Sequence, residues 1–271
     1  MKPFKNFPNN PLIWVLSFFV LAAGCTQPSN ETDTSNTEVE QPQKKELTKA
    51  EQIVNQVIET AGGEKYLNSS ISFDFRKMNY KSERNGGKFT YYREFKDSIH
   101  TVHDVLSNDG YSREIDGQQV QVIDSMISKY SASVNSVIYF ALLPYGLNDA
   151  AVNKKYLGET TIKGQPYHEI EVTFNQNGGG QDFDDVFTYW IHKDNNTIDY
   201  LAYLYHTDEG GLRFREAYNV RNVNGVRFVD YVNYKPKDES IPVNDLDEVF
   251  SNGELIELSR IELENIQVEL P

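Results

Sequence analysis

The sequence predicts an α+β fold, mainly β: a curled antiparallel sheet wrapped around an N-terminal helix, with a helical insertion at mid-chain. Three observations predict it. One amphipathic segment near residue 50 carries both a helix-start and a helix-stop signal. After residue 70, alternating apolar runs are separated by glycine-bearing turns at intervals of about 8–12 residues. One later stretch, 133–152, returns to a helical period.

The first helix is read from "LTKAEQIVNQVIETAGGEKYL". Ala50, Ile53, Val54, Val57, Ile58 and Ala61 recur at three- and four-residue steps. Thr48 and Glu51 stand as a capping-box pair, and Gly62-Gly63 ends the run. Strands follow. "SISFDFRKMNYKSE" sets Ile71, Phe73 and Phe75 on one face, and Gly86-Gly87, Asn108-Asp109-Gly110 and Asp116-Gly117 supply turns. The C-terminal half repeats the pattern through "YHEIEVTFN", "DVFTYWIHK", "TIDYLAYLYH", "LRFREAYNV", "VRFVDYVNY" and "IELSRIELENIQVEL". With 17 Tyr and 15 Phe, these strands suit a sheet with one apolar and one semi-polar face. In the insertion, Val134, Val137, Ile138, Ala141 and Leu142 share a helical face before Pro144 breaks it, and 147–152 allows a further turn. This segment is expected to plug one mouth of the sheet or to cover a cavity.

Several charges lie inside the strand runs. "LRFREAY" alternates Leu212, Phe214, Glu216 and Tyr218 against Arg213, Arg215 and Ala217. "VRFVDYVNY" places Asp230 in a row with Val226, Phe228, Val232 and Tyr234. Arg76, Arg93, Asp97 and Asp199 are also in strand-like runs. A charge in a core row must be paired or face a cavity. Two readings stand: cross-strand ion pairs as scaffold, or a polar lining for the head of an amphipathic ligand. The second gives the candidate ligand-binding set Arg76, Arg93, Tyr203, Arg213, Arg215, Glu216 and Asp230, with Glu216 and Asp230 expected on the concave side.

The N-terminus reads separately. Lys2 and Lys5 precede "LIWVLSFFVLAA", twelve uncharged residues, too short for the roughly 20 that span a bilayer and suited to an export signal. Leu21-Ala22-Ala23-Gly24-Cys25 then resembles the lipobox of bacterial lipoproteins, with Ala22 where that family usually carries Leu. The resemblance implies cleavage after Gly24 and acylation of Cys25, the single cysteine of the chain. Residues 26–46 are polar apart from Val39 and read as a flexible tether reaching roughly 25 Å. Thr26, where retained inner-membrane lipoproteins usually have Asp, implies outer-membrane sorting. The expected organisation is therefore signal peptide 1–24, lipidated tether 25–46, and one β-rich domain 47–271.

Helix, curled sheet, helical insertion and lipidated terminus together resemble the incomplete β-barrels of the periplasmic lipoprotein carrier and its outer-membrane receptor. "GGEKYLNSSISFDFR", "SVNSVIYFALLPYGLNDAAVNKKYLGE", "RFREAYNV" and "VRFVDYVNYKP" are similar to an uncharacterised family of Bacteroidota lipoproteins. That resemblance sharpens fold and location and implies no activity.

The net charge of −14 becomes −16 once Lys2 and Lys5 leave with the signal, so nucleic acid is set aside as a partner. The histidines lack metal-ligand spacing, and Asp182, Asp184 and Asp185 lack the glycine and closing Glu of a calcium loop, so neither a metal nor a cofactor is expected. There is no GxSxG elbow and no alternating βα pattern for a barrel enzyme. The expectation is a membrane-anchored protein binding a lipid, acyl chain or similar ligand. The alternatives are an assembly subunit meeting another envelope protein and a hydrolase built on the Arg/Asp/Tyr cluster. Replacing Cys25 with Ser is expected to release the protein from membranes into the soluble periplasmic fraction; retention in the membrane pellet at high salt would refute the anchor.

Overall fold

In the computed structural model, residues 46–271 are described, apart from 181 and 208. The signal, the tether (but for Glu46) and Cys25 lie outside the described residues.

Helix α1 (Lys49–Ala61) begins where its cap does: the Glu51 amide donates to Thr48 Oγ1 at 3.2 Å, and the Thr48 amide donates to Glu51 Oε2 at 2.7 Å. Gly62, at φ +150°, ends it; a Cβ there would come within 3.3 Å of the Gly225 carbonyl oxygen. The close approach is what requires glycine. Six strands follow as a meander: β1 (Asn68–Phe75), β2 (Met78–Asn85), β3 (Lys88–Lys96), β4 (Thr101–Ser107), β5 (Gly110–Ile115) and β6 (Gln118–Val120). Helix α2 (Asp124–Ala141) starts nine residues ahead of the 133–152 segment, and one 3₁₀ turn, Tyr145–Asn148, follows it. A second meander comprises β7 (Val152–Ile162), β8 (Gln165–Phe174), β9 (Val186–His192), β10 (Ile198–Tyr205), β11 (Gly211–Val223) and β12 (Val226–Lys235). The chain then forms the short helix α3 (Leu246–Ser251), β13 (Ile256–Ile261) and β14 (Glu264–Glu269).

These strands make two antiparallel seven-stranded sheets, ordered β14-β1-β2-β3-β4-β5-β6 and β13-β12-β11-β10-β9-β8-β7. The sequence "IELSRIELENIQVEL" is thus two strands in two sheets, turning a corner at Glu262-Leu263. The sheets adjoin along that corner and are not closed into a barrel. Both long helices lie on the inner side. α1 buries Ile53, Val54 and Val57 against Ile170, Tyr189 and Leu201 of the second sheet. α2 buries Val134 and Ile138 against Phe73, Tyr80 and Tyr91 of the first, and turns Tyr139 and Phe140 to the second. The second sheet is covered on its outer side too: Leu246 and Phe250 of α3 pack on Trp190, Tyr200 and Phe214. All of β9 beyond its first residue is consequently buried.

The corner is held by Asp230, 2% exposed. Its carboxylate accepts from both terminal nitrogens of Arg221 at 2.6 and 2.8 Å, from Asn219 Nδ2 at 2.6 Å and from the Leu263 amide at 2.9 Å. A β-bulge makes this possible. Tyr218 pairs with Asp230 but Arg221 with Phe228, so β11 carries one extra residue there, with Asn219 at φ +49°. Burial opposes the charge, yet Arg221, the Leu263 amide and Asn219 together hold the carboxyl below its ordinary pKa.

The concave placement expected for Asp230 and Glu216 is corrected here. Glu216 points away from the inner side of the second sheet, and Asp230 is taken up by the corner and does not line the cavity. Glu216 shares its row with Leu212 and Phe214, whose neighbours are α3 residues, and it accepts from Lys163 Nζ at 2.6 Å and Tyr234 Oη at 3.2 Å. The row was read as lining the concavity because it is apolar; in fact the sheet has apolar rows on both faces. Asp230→Ala is expected to destabilise by about 3–5 kcal/mol, because it leaves Arg221 half-buried without its carboxylate. Glu216→Ala, whose lysine partner is solvated, should cost about 1 kcal/mol or less. Denaturant midpoints of the two variants check the contrast.

Candidate functional site

A cavity of about 350 Å³ lies between α2 and the inner face of the second sheet. The second sheet, α2, the corner and the β1–β2 turn build it. Alternation on β10, β11 and β12 turns Tyr203, Arg215, Val229, Tyr231 and Asn233 inward. Helical spacing on α2 brings Ser136, Val137, Phe140 and Ala141 over them. The corner adds Ile261 and Leu263, and the β1–β2 turn adds Phe75 and the exposed Arg76. Most of the wall is therefore aliphatic or aromatic.

Arg215 is the polar centre, 8% exposed. One terminal nitrogen donates to Tyr203 Oη at 2.8 Å, and the guanidinium carbon sits 3.9 Å from the Phe140 ring centroid. Its Nε has no hydrogen-bond partner among the described residues, and no carboxylate there ion-pairs with it. Asn233, its cross-strand partner, likewise leaves Oδ1 without a donor. Of the candidate residues, the cavity brings together Arg76, Tyr203 and Arg215. Arg213 donates to Tyr205 Oη at 2.6 Å, and Tyr205 is the wall residue there.

Arg93 is elsewhere. It is 5% exposed beneath α2, with Nε and one terminal nitrogen on Asp104 Oδ2 at 2.9 and 2.6 Å and the other on Ser133 Oγ at 2.7 Å. Arg113 and Tyr111 donate to the same Asp104 carboxylate. That network fastens α2 to the first sheet and is complete without a ligand. Glu216 is on the outer face and Asp230 is at the corner, as described. Asp97 accepts the amides of Ile99 and His100 in the turn before β4, and Asp199 accepts from Thr197 and Tyr167.

Sequence reasoning missed Asn233, which looks like a routine strand polar residue until its register opposite Arg215 is known. It also missed the acidic end of the cavity, where Asp182 and Asp185 join the wall. Asp182 Oδ1 is buried without a partner among the described residues, and Asp185 Oδ1 accepts the His206 amide at 3.2 Å. Asp184, Asp185 and the His206 ring bring three metal-type ligand atoms within 4.8 Å of one another. That is fewer than the four of a structural zinc site or the six to eight of a calcium site, and it supplies no such centre by itself.

Burial raises the Asp185 pKa to about 6; the His206 amide opposes the rise and the charges of Asp182 and Asp184 add to it. The folded pKa lies above the ordinary 3.8, so the native state binds the proton more tightly than the unfolded chain. Its contribution is full below the ordinary value and is lost as pH rises through about 6. Asp185→Asn is expected to flatten the fall in urea midpoint over that window, and midpoints measured from acid to neutral pH check it.

No described helix is long and apolar enough to cross a membrane. No curated protein matches the chain. Among solved structures, it is similar to a DUF1329 family protein from Desulfovibrio piger, at 10% identity and TM-score 0.44 over 82% of this chain and 93% of that one. It is also similar to a LolA superfamily protein from Nitrosomonas europaea, at 11% identity and TM-score 0.44 over 83% and 96%. A family model spans residues 42–263, and by that match the chain belongs to the family of unknown function DUF6503.

Proposed function

We propose that this protein is an outer-membrane-anchored carrier or receptor for an apolar or amphipathic small molecule, held in the cavity between α2 and the second sheet. The supporting observation is the cavity itself. Protein interiors normally fill to crystal-like density, yet about 350 Å³ stays open here behind walls such as Val137, Phe140, Val229 and Ile261. The volume is at the lower end of the roughly 300–1,000 Å³ of small-molecule sites, and the wall chemistry is theirs as well: mostly apolar, with a few placed polar groups. Cys25, acylated, would fix the domain to the membrane through the 25–46 tether, on the periplasmic side. An acyl chain or another single-chain amphiphile suits the cavity's dimensions better than a two-chain lipid.

The test is uptake of N-phenyl-1-naphthylamine, a neutral apolar fluorophore, by the full chain, together with lipid extraction of the purified protein. Stoichiometric fluorescence enhancement is expected in the wild type. Val137→Trp, which fills the space from α2, should abolish it while the Tm stays within about 4 °C. A wild type that takes up no fluorophore and carries no extractable lipid would refute the reading.

A further inference from the structure

The cavity is electrically divided along its length. Arg215 sits opposite Leu201 on β10, whereas Asp185 accepts the amide of His206, just beyond the end of that strand. Five residues of strand separate the two levels, roughly 16 Å along the sheet. The acids are therefore not the counterions of Arg215.

Burying a guanidinium without a carboxylate is costly, and such groups are normally paired. Contrast the other buried arginine of the interior. Arg93 spends its nitrogens on Asp104 and Ser133. Arg215, in the wall of the cavity, has only a tyrosine hydroxyl and a ring face, and its buried Nε is unpartnered among the described residues. Directly across the strand pair, Asn233 Oδ1 is likewise buried without a donor among the described residues. Away from these two residues the floor becomes apolar, through Tyr231 and Val229 to Ile261 and Leu263 at the corner.

Resting on the ligand-binding reading above, we propose that Arg215 receives an anionic headgroup, so that the ligand is a single-chain amphiphile with a carboxylate or phosphate head and its chain laid toward the corner. The head accepts from the terminal nitrogen of Arg215 that Tyr203 does not engage, a charge-assisted contact. Tyr203 Oη, already accepting from Arg215, keeps its own proton free to donate to the head.

The experiment is displacement of N-phenyl-1-naphthylamine from the full chain by dodecanoate, dodecyl phosphate, dodecanol and dodecylamine, each below its micelle-forming concentration. Dodecanoate or dodecyl phosphate should displace at about tenfold lower concentration than dodecanol, the worth of one charge-assisted contact, and which of the two is better identifies the head. Arg215→Gln should bring that advantage below about threefold while leaving dodecanol unchanged. Arg260→Gln, at an exposed arginine paired with Glu257 and outside the cavity wall, should keep the preference. If the fluorophore binds but dodecanol matches the anions, or dodecylamine surpasses them, the headgroup assignment is wrong and the apolar cavity stands. If the fluorophore does not bind the wild type at all, the ligand-binding reading itself falls. Should Arg215→Gln fail to fold, the four-way comparison on the wild type still decides.

Discussion

One buried carboxylate governs how the two sheets meet. Asp230 holds the bulge of β11 through Asn219 and Arg221, and holds the turn between β13 and β14 through the Leu263 amide. Arg221 reinforces it by donating to the Leu263 carbonyl oxygen at 3.3 Å. The last two strands belong to different sheets, so the angle between those sheets is set at this joint. From it the sheets diverge, and α2 occupies the space between them. The helix is tied to both sides: Ser133 to Arg93 of the first sheet, and Tyr139 Oη to Tyr189 Oη of the second at 2.9 Å. Corner and helix together define the cavity's dimensions. Neither polar cluster is needed for burial of apolar area; both serve geometry, which is the better-attested role of buried ionic groups.

Much of the fold is legible in the sequence because its local signals agree with one another. Thr48, Glu51 and Gly62 bracket α1, and glycine or asparagine marks the strand reversals at Gly86-Gly87, Asn108-Asp109-Gly110 and Asn224-Gly225. Facing is harder to read. Alternation identifies an inner row only if the other side is wet, and the outer face of the second sheet is covered by α3, six residues long and too short for a periodic signal. Leu212, Phe214 and Glu216 thus form an apolar row that is not the cavity wall, while the row with Arg213 and Arg215, polar by sequence, faces inward. Register adds a second difficulty. Counted back from the Asn224-Gly225 turn without a bulge, Tyr218 would pair with Tyr231 and Arg221 would alternate onto the opposite face from Tyr218. The extra residue at Asn219-Val220 leaves Arg221 opposite Phe228, on the Asp230 side, and moves Tyr218 from opposite Tyr231 to opposite Asp230. Nothing in "AYNVRNVNG" announces it beyond an asparagine able to take φ +49°.

The same registry explains why the candidate set splits. Arg93, Arg215 and Asp230 are all charges in strand rows, and all three are buried. Two of them find full partnership within the chain, Arg93 through Asp104 and Asp230 through Arg221. Sequence shows that each must be accommodated; only the geometry shows which one is not.

The sheets' free margins carry a consequence of their own. A curled sheet joined along one side leaves two unpaired strand edges, and an unpaired edge is a template for adding another chain's strand. Here one margin is β6, three residues long, and the other is β7, which bears Lys154 and Lys155 and a bulge between Tyr156 and Gly158. Brevity guards the first, and charge with a break in register guards the second. Margins guarded in this way do not recruit a neighbour's backbone. Copies crowded at high local concentration would then remain separate molecules.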